Sequence, residues 1–380
     1  MEAEFYNSYV EIDLDALDYT FDRVKGHVGE AVGIIPVLKS NAYGHGMVEM
    51  ARFFALDKGV DLIAVSQLIE AVDIRRDGMG AVDILILGGL LERQIPAVVA
   101  YDIQPALFDC DFARKLSAEA VRQGRTVRVQ VKIETGMGRL GVKPGAELSQ
   151  LLDTVAALPN LEITGFFTHF ATAETEEEPY AIEQHRIFLQ AMAEAEARKL
   201  GLRYVHCCNT GGATWFREAF GTHVRAGCIV LGIPSMNNHT NPLGLREALS
   251  WRAAITHIHW LEPGESCGYE RFFVAHTRTR VAIINVGYGD GLYRPISTSG
   301  GPVIVGDTRT RFLAGCMDQC IIDVTDVDCA VGDEVTLIGT SRGGAVLSIN
   351  ELTERNNQPC TMALVTLNHR VARRYVRNGK

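Results

Sequence analysis

The sequence predicts an α/β protein: a (β/α)8 TIM-type barrel over residues 10–245, followed by a mostly antiparallel β domain over residues 246–380. Three observations carry that prediction. The chain has 380 residues, and at about 150 residues per domain two domains are favoured over one or three. Across roughly the first 230 residues, eight short β-branched runs alternate with amphipathic stretches; count and length suit a closed barrel better than an open doubly wound sheet. After about Leu245 the pattern becomes short alternating strands behind Gly-rich turns, the mark of antiparallel pairing.

In chain order, the first barrel strand is expected at Ile34–Leu38, with a helical pattern at Met47–Leu56. Asp61–Ser66 precedes a helix at Gln67–Arg75, and Val82–Leu87 is the third strand. Ile103–Phe108 and the helix Phe112–Arg122 form the fourth unit, whose pattern is the weakest. Val127–Ile133 pairs with the helix Ala146–Ala157, Ile163–Thr168 with Ala181–Lys199, and Tyr204–Cys207 with Gly212–Phe220; Val224–Val230 completes the eight. The acidic run Glu174–Pro179 reads as a solvated loop opening the next helix, where negative charge favours the N-terminus. In the second domain, strands are expected at Arg252–Trp260, Val281–Val286, Pro302–Val305, Gln319–Val324 and Glu334–Ile338, then a helix at Ser348–Asn356. Residues 1–9 are a lead-in segment free to pack on that domain.

Composition narrows the function. Lys and Arg number 37 against 46 Asp and Glu, a net charge of −9, which speaks against a general nucleic-acid binder with a basic face. An anionic small ligand remains open, because a few buried cations set the local field whatever the net charge. No run of about 18 apolar residues argues for a membrane span, and the acidic start MEAEFYNSYVEID lacks the apolar stretch of a secretory signal. The nine cysteines include no C-x-x-C pair, so neither a zinc ribbon nor a thioredoxin motif is suggested, and no metal site is expected. Reduced thiols in a chain long enough to bury its own core fit a cytoplasmic enzyme.

Barrel active sites lie at the C-terminal ends of the strands. The first strand ends in Val37-Leu38-Lys39, then Ser40-Asn41-Ala42-Tyr43-Gly44-His45-Gly46. Lys39 is either a partly desolvated amine, usable as a base or Schiff-base former, or a surface lysine. The fifth ends in Lys132-Ile133-Glu134-Thr135-Gly136-Met137-Gly138-Arg139, two cations suited to an anionic substrate or to a loop ion-pair network. The sixth places His169 at the same rim, as a structural or a chemical imidazole. Asn209-Thr210-Gly211-Gly212 after the seventh, and Arg225-Ala226-Gly227-Cys228 in the eighth, lie where this fold cradles phosphate; an ordinary helix cap explains the former equally. A lysine and a phosphate cradle on one barrel mouth suggest pyridoxal phosphate.

These residues together resemble the alanine racemase family of fold-type III pyridoxal-phosphate enzymes, over nearly the whole chain. The matching segments are Val10–Leu17, Val37–Gly46, Lys132–Val142, Thr168–Ala173, His206–Thr210, Val224–Gly232, Ser266–Phe273, Val286–Gly291 and Cys316–Thr325. V-L-K-S-N-A-Y-G-H-G is the most specific. The resemblance implies racemisation of L- and D-alanine, supplying D-alanine, by a homodimer with shared sites. Lys39 carries the cofactor and is one base, while Tyr269 reaches from the partner subunit as the other. Two bases on opposite faces suit racemisation, and a phenol with a pKa of about 10 needs tuning to act near neutrality. The family pattern assigns that tuning to His169, His206 and Arg225.

By the same resemblance, Arg225 faces the pyridine nitrogen and, as an obligate donor, leaves it unprotonated, which limits side reactions. Arg139 and the Met317 amide hold the substrate carboxylate. Tyr43, Asn209, Thr210, Gly227 and Cys228 hold the cofactor, and Asp318 and Lys132 support the site. Lys132 matches a lysine carbamylated in many members. Departures bear on substrate: Leu313-Ala314 replaces a usual Gly-Arg, Glu270 a common Gly, and His369 (or Asn368) a pocket-lining tyrosine of some members. Serine, or a broader range, is therefore the alternative substrate. A non-catalytic pyridoxal-phosphate-binding barrel is disfavoured by the second domain, and a decarboxylase by its shortness and lack of a cysteine-bearing specificity motif.

Overall fold

The computed structural model describes residues 6–175, 177–233, 240–354 and 359–379. Residues 1–5 of the lead-in, Glu176 of the acidic run and residues 355–356 of the expected last helix lie outside the described residues. The expected fold class is present. Strand β1 (Ser8–Asp13) precedes the barrel strands β2 (Gly33–Pro36), β3 (Leu62–Val65), β4 (Asp83–Ile86), β5 (Gln104–Leu107), β6 (Val127–Lys132), β7 (Leu161–Phe167), β8 (Tyr204–His206) and β9 (His223–Ala226). Strands β3 to β8 form one parallel sheet in sequence order, and β2 pairs β9 in parallel. Two joints close the ring: Leu38 N–H donates to Ala64 C=O at 2.8 Å, and Arg225 N–H to Cys208 C=O at 2.9 Å. Ile35, Leu62, Leu85, Ala106 and Phe167 form a buried cluster across five of these strands, filling the ring from within.

The first helix, Leu14–Val28, was not foreseen. Asp13 caps it by accepting from Asp15 N at 2.9 Å and Ala16 N at 3.0 Å, and Leu17, Phe21, Val24 and Val28 make its buried stripe. The helix Ile95–Ala100 is also additional. Where expectation and structure differ at the barrel mouth, the cause is local. The last strand stops at Ala226 rather than Val230, because Gly227 (φ −90°, ψ −99°) turns the chain into a 3-10 helix, Cys228–Leu231. The expected helix Gly212–Phe220 runs Thr210–Trp215 and breaks at Phe216 (φ −118°, ψ 70°).

The second layer begins with β10 (Leu249–Leu261), followed by the hairpin β11 (Ser266–Cys267) and β12 (Phe273–Val274). Then come β13 (Thr279–Ile284), β14 (Pro302–Val305), β15 (Thr308–Gly315), β16 (Cys320–Asp323), β17 (Glu334–Thr340), β18 (Val346–Leu347) and β19 (Ala372–Val376). The order β10-β13-β16-β15-β14-β17 returns to β10 through β17–β10 pairing, so six antiparallel strands close on themselves and leave no free edge among them. On the flank of β10 lies β1, antiparallel to it (Val10↔Trp251) and parallel to β19 (Val10↔Arg373). Val10, Ile12 and Trp251 are fully buried there. The buried Arg252 pairs with Glu334 at 2.8 Å and Glu11 at 3.2 Å, which offsets its charge inside this seam. From β19, Tyr375 Oη donates to His45 C=O at 2.9 Å and Arg373 to Gly44 C=O at 3.1 Å, bracing the loop that carries Lys39. No described helix is long and apolar enough to cross a membrane.

Candidate active site

Lys39 follows β2 at the barrel mouth and opens an unusual turn. Ser40, Asn41, Ala42 and Tyr43 have φ of 54°, 55°, 52° and 50°, a left-handed path that costs each non-glycine residue about 1–2 kcal/mol. Its backbone is held from several sides. Ser40 N donates to Glu70 Oε1 at 2.6 Å, Met47 N to Asn41 Oδ1 at 2.8 Å, and Ala42 N to Leu38 C=O at 2.8 Å. His45 is fully buried and pushed down to about 4 by burial, so it is neutral; its Nδ1–H donates to Tyr43 C=O at 3.1 Å. Burial also holds the Tyr43 phenol well above its ordinary value. That phenol fills the space a side chain at residue 227 would occupy: a Cβ on Gly227 would lie 2.8 Å from Tyr43 Oη.

Arg225 is buried on β9 and donates to four acceptors. Nη1 reaches His206 Nδ1 and C=O, both at 2.9 Å, and Nη2 reaches His169 Nδ1 at 3.1 Å and Cys207 C=O at 2.9 Å. A guanidinium only donates, so both Nδ1 atoms accept and both neutral rings carry their proton on Nε2. His206 Nε2–H then donates to Gln130 Oε1 at 2.8 Å, and Gln130 Nε2 to Gln104 Oε1 at 2.9 Å. Burial first, and the Arg225 charge second, push both imidazoles well below their usual value. Burial lowers Arg225 itself to about 10, which leaves it charged at neutral pH. Gln104 and Gln130 escaped the sequence reading, although a glutamine at an inward position of an apolar barrel strand is the signal that could have found them.

Lys132, at the end of β6, is buried with Nζ 4.3 Å from the Phe167 ring centroid. Burial, then Arg225 and Arg139, push its amine well below the usual lysine range. In the loop beyond, Glu134 accepts from the amides of Gly136, Gly138 and Arg139. Burial opposes the charge on Glu134, yet those amides together keep its carboxyl below the usual value. Asn209 caps the helix Thr210–Trp215 by accepting from Gly212 N at 3.0 Å. Lys39, Tyr43, Lys132, Arg139, His169, Asn209, Thr210, Arg225, Gly227 and Cys228 thus converge on one cavity of about 410 Å³. His206 stands behind it, touching Arg225.

Within one chain, the second-layer residues form a separate place. Tyr269 is 74% exposed and lines a cavity of about 140 Å³ with Glu270, Phe272, Tyr288, Arg294, Thr298, Ala314 and Gly315. Met317 is exposed, and its carbonyl accepts from Gly289 N at 2.8 Å. Asp318 pairs with Arg370 at 2.7 Å, and Arg370 in turn with the buried Asp290 at 2.6 Å. His369 is exposed and lines neither cavity.

Comparison with known proteins converges on one family. Residues 12–235 match the family model "Alanine racemase, N-terminal domain", and residues 248–375 match "Alanine racemase, C-terminal domain". The alanine racemase of Clostridium tetani is 32% identical over 376 residues, covering 98% of this chain and 96% of that protein. That of Geobacter sulfurreducens is 36% identical over 348 residues, 90% of each. Among solved structures, alanine racemase from Clostridium difficile 630 superposes with a TM-score of 0.92 at 27% identity, covering 99% of this chain and 97% of that one. The Bacillus anthracis enzyme with bound L-Ala-P gives 0.89 at 29%, covering 98% and 96%. The chain therefore belongs to the alanine racemase family of enzymes.

Proposed function

We propose that this protein racemises alanine with pyridoxal phosphate, as a cytoplasmic homodimer whose two sites are each completed by the partner. The observation that carries this reading is the convergence of Lys39, Arg139 and Arg225 on one 410 Å³ cavity, a volume within the usual range for a cofactor site. The donor set fits the group: an amine to bind it covalently, a phenol and hydroxyl (Tyr43, Thr210) with the glycine backbone of Gly227 for phosphate, and a buried guanidinium for the ring nitrogen. When bound, pyridoxal phosphate supplies the electron sink that acidifies the substrate Cα–H.

The residues divide the remaining work. Lys39 holds the cofactor and, once released, moves the Cα proton on one face. Tyr269 of the partner subunit serves the opposite face, which its exposure in one chain permits. Arg225 is fixed by two imidazoles and two carbonyls, so it donates toward the ring nitrogen without giving up a proton. Arg139 orients the substrate carboxylate with the partner's Met317, whose loop Asp318 braces. Burial, with Arg225 and Arg139 nearby, disfavours the charge on Lys132 and so favours the free amine that carbamylation requires, which would convert it to an anion beside Arg139.

Serine, or a broader range, is the second reading, favoured by the small Ala314 and Gly315 beside Tyr269. Parallel assays with L-alanine, L-serine and L-lysine decide it, with alanine expected to turn over fastest. Lys39→Ala should abolish turnover and the visible absorbance of bound pyridoxal phosphate; full activity in that variant would overturn the proposal.

A further inference from the structure

We propose that Glu70 is a positioning residue for Lys39: its carboxylate ties the left-handed turn to the loop after β3 and so sets the aim of the amine. This rests on reading Lys39 as the cofactor-bearing base. Glu70 Oε1 accepts from Ser40 N at 2.6 Å, and Oε2 accepts from Ser66 N at 2.8 Å and Gln67 N at 3.0 Å. One carboxylate thus joins the residue immediately after Lys39 to the next strand's loop, where Ser66 itself borders the cavity. The other side-chain ties on this turn, Asn41 to Met47 and His45 to Tyr43, act farther along it. Glu70 is the side chain that holds the amide of the residue following Lys39, while the carbonyl of that residue accepts from Gly44 N at 3.2 Å.

The need for such a tie follows from the backbone. Four successive non-glycine residues at φ of 50–55° persist only where their surroundings over-determine them. Charge-assisted acceptors are roughly twice as strong as neutral ones, and a carboxylate has lone pairs for all three donors. Without Glu70, the Ser40 amide loses its partner and the turn is free to relax toward right-handed φ, swinging Lys39 away from its place in the cavity it shares with Arg225. Glu70 also caps the helix Leu68–Arg76 through its N-terminal turn, so the test must separate aim from helix stability.

Amide hydrogen exchange at Ser40 and steady-state racemisation of L-alanine make that separation. In Glu70→Ala, Ser40 exchange is expected to rise about tenfold, and kcat to fall about tenfold or more while KM stays within about threefold. Glu70→Gln keeps one acceptor oxygen and falls between, which guards against a poorly folded alanine variant. Ser40→Gly added to either variant is expected to recover about threefold in kcat, because glycine adopts positive φ freely. A lowered Tm with Ser40 exchange and kcat within about twofold of wild type, or no recovery from Ser40→Gly, would overturn the proposal and leave Glu70 as a helix cap. Failure of the underlying reading looks different: wild type itself would show no turnover and bind no pyridoxal phosphate, while Ser40 exchange still reports on the tie.

Discussion

Arg225 shows how one residue fixes the protonation of its surroundings. Its guanidinium occupies Nδ1 of both His169 and His206, and burial keeps both rings neutral, as it does His45. All three have folded pKa values below the unfolded value of about 6.5, so the unfolded chain binds more protons below that pH, and the stability they lend above pH 6.5 is lost as pH falls. Glu247 opposes them: burial raises it to about 7, so its contribution is present below about 4.5 and lost as pH rises through 7. Burial lowers His27 and His185 as well, so the imidazoles outnumber Glu247 and stability is expected to fall from pH 7 to pH 5. Urea unfolding of the cofactor-free protein at pH 7, 6 and 5 measures this, and a flat profile would refute it. Lys39, Tyr43, Thr210 and Arg225 were legible in the sequence because each sits in a short, ordered motif. Glu70, Gln104 and Gln130 were not, since their roles depend on partners 26 to 76 positions away.

At the scale of elements, periodicity located the barrel strands well, because buried parallel strands are continuous apolar runs. It missed β15 and β19, whose arginines and threonines (Thr308-Arg309-Thr310-Arg311; Ala372-Arg373-Arg374-Tyr375) hide half-exposed strands. It missed β1 because nothing local reveals a partner at residue 251 or 373. The break after β9 is a junction where the site depends on the absence of a side chain. Gly227→Ala would put a Cβ 2.8 Å from the far end of Tyr43, which the ring can escape only by leaving its place. The expected result is a Tm within a few degrees of wild type and pyridoxal-phosphate affinity weakened about tenfold or more; unchanged affinity by titration would refute it.

For the whole molecule, two separate cavities of one chain divide the proposed bases between them, Lys39 in one and Tyr269 in the other. Tyr269, Phe272 and Met317 are each more than half exposed, an apolar surface suited to a second copy. Mixing Lys39→Ala with Tyr269→Phe chains should restore about a quarter of wild-type activity, since half of the dimers are mixed and each has one intact site. No recovery in a verified mixed dimer would count against shared sites. The seam of β1 between β10 and β19 also orders the birth of the protein. On a ribosome adding about 5–20 residues per second, β19 is made roughly 360 residues after β1, some 20–70 s later. The barrel has time to close while β1 waits with both edges unpaired, and only when β19 docks do Tyr375 and Arg373 reach the Lys39 loop. The loop that bears the proposed base is thus braced only after β19 has been made, well after the barrel strands that flank it.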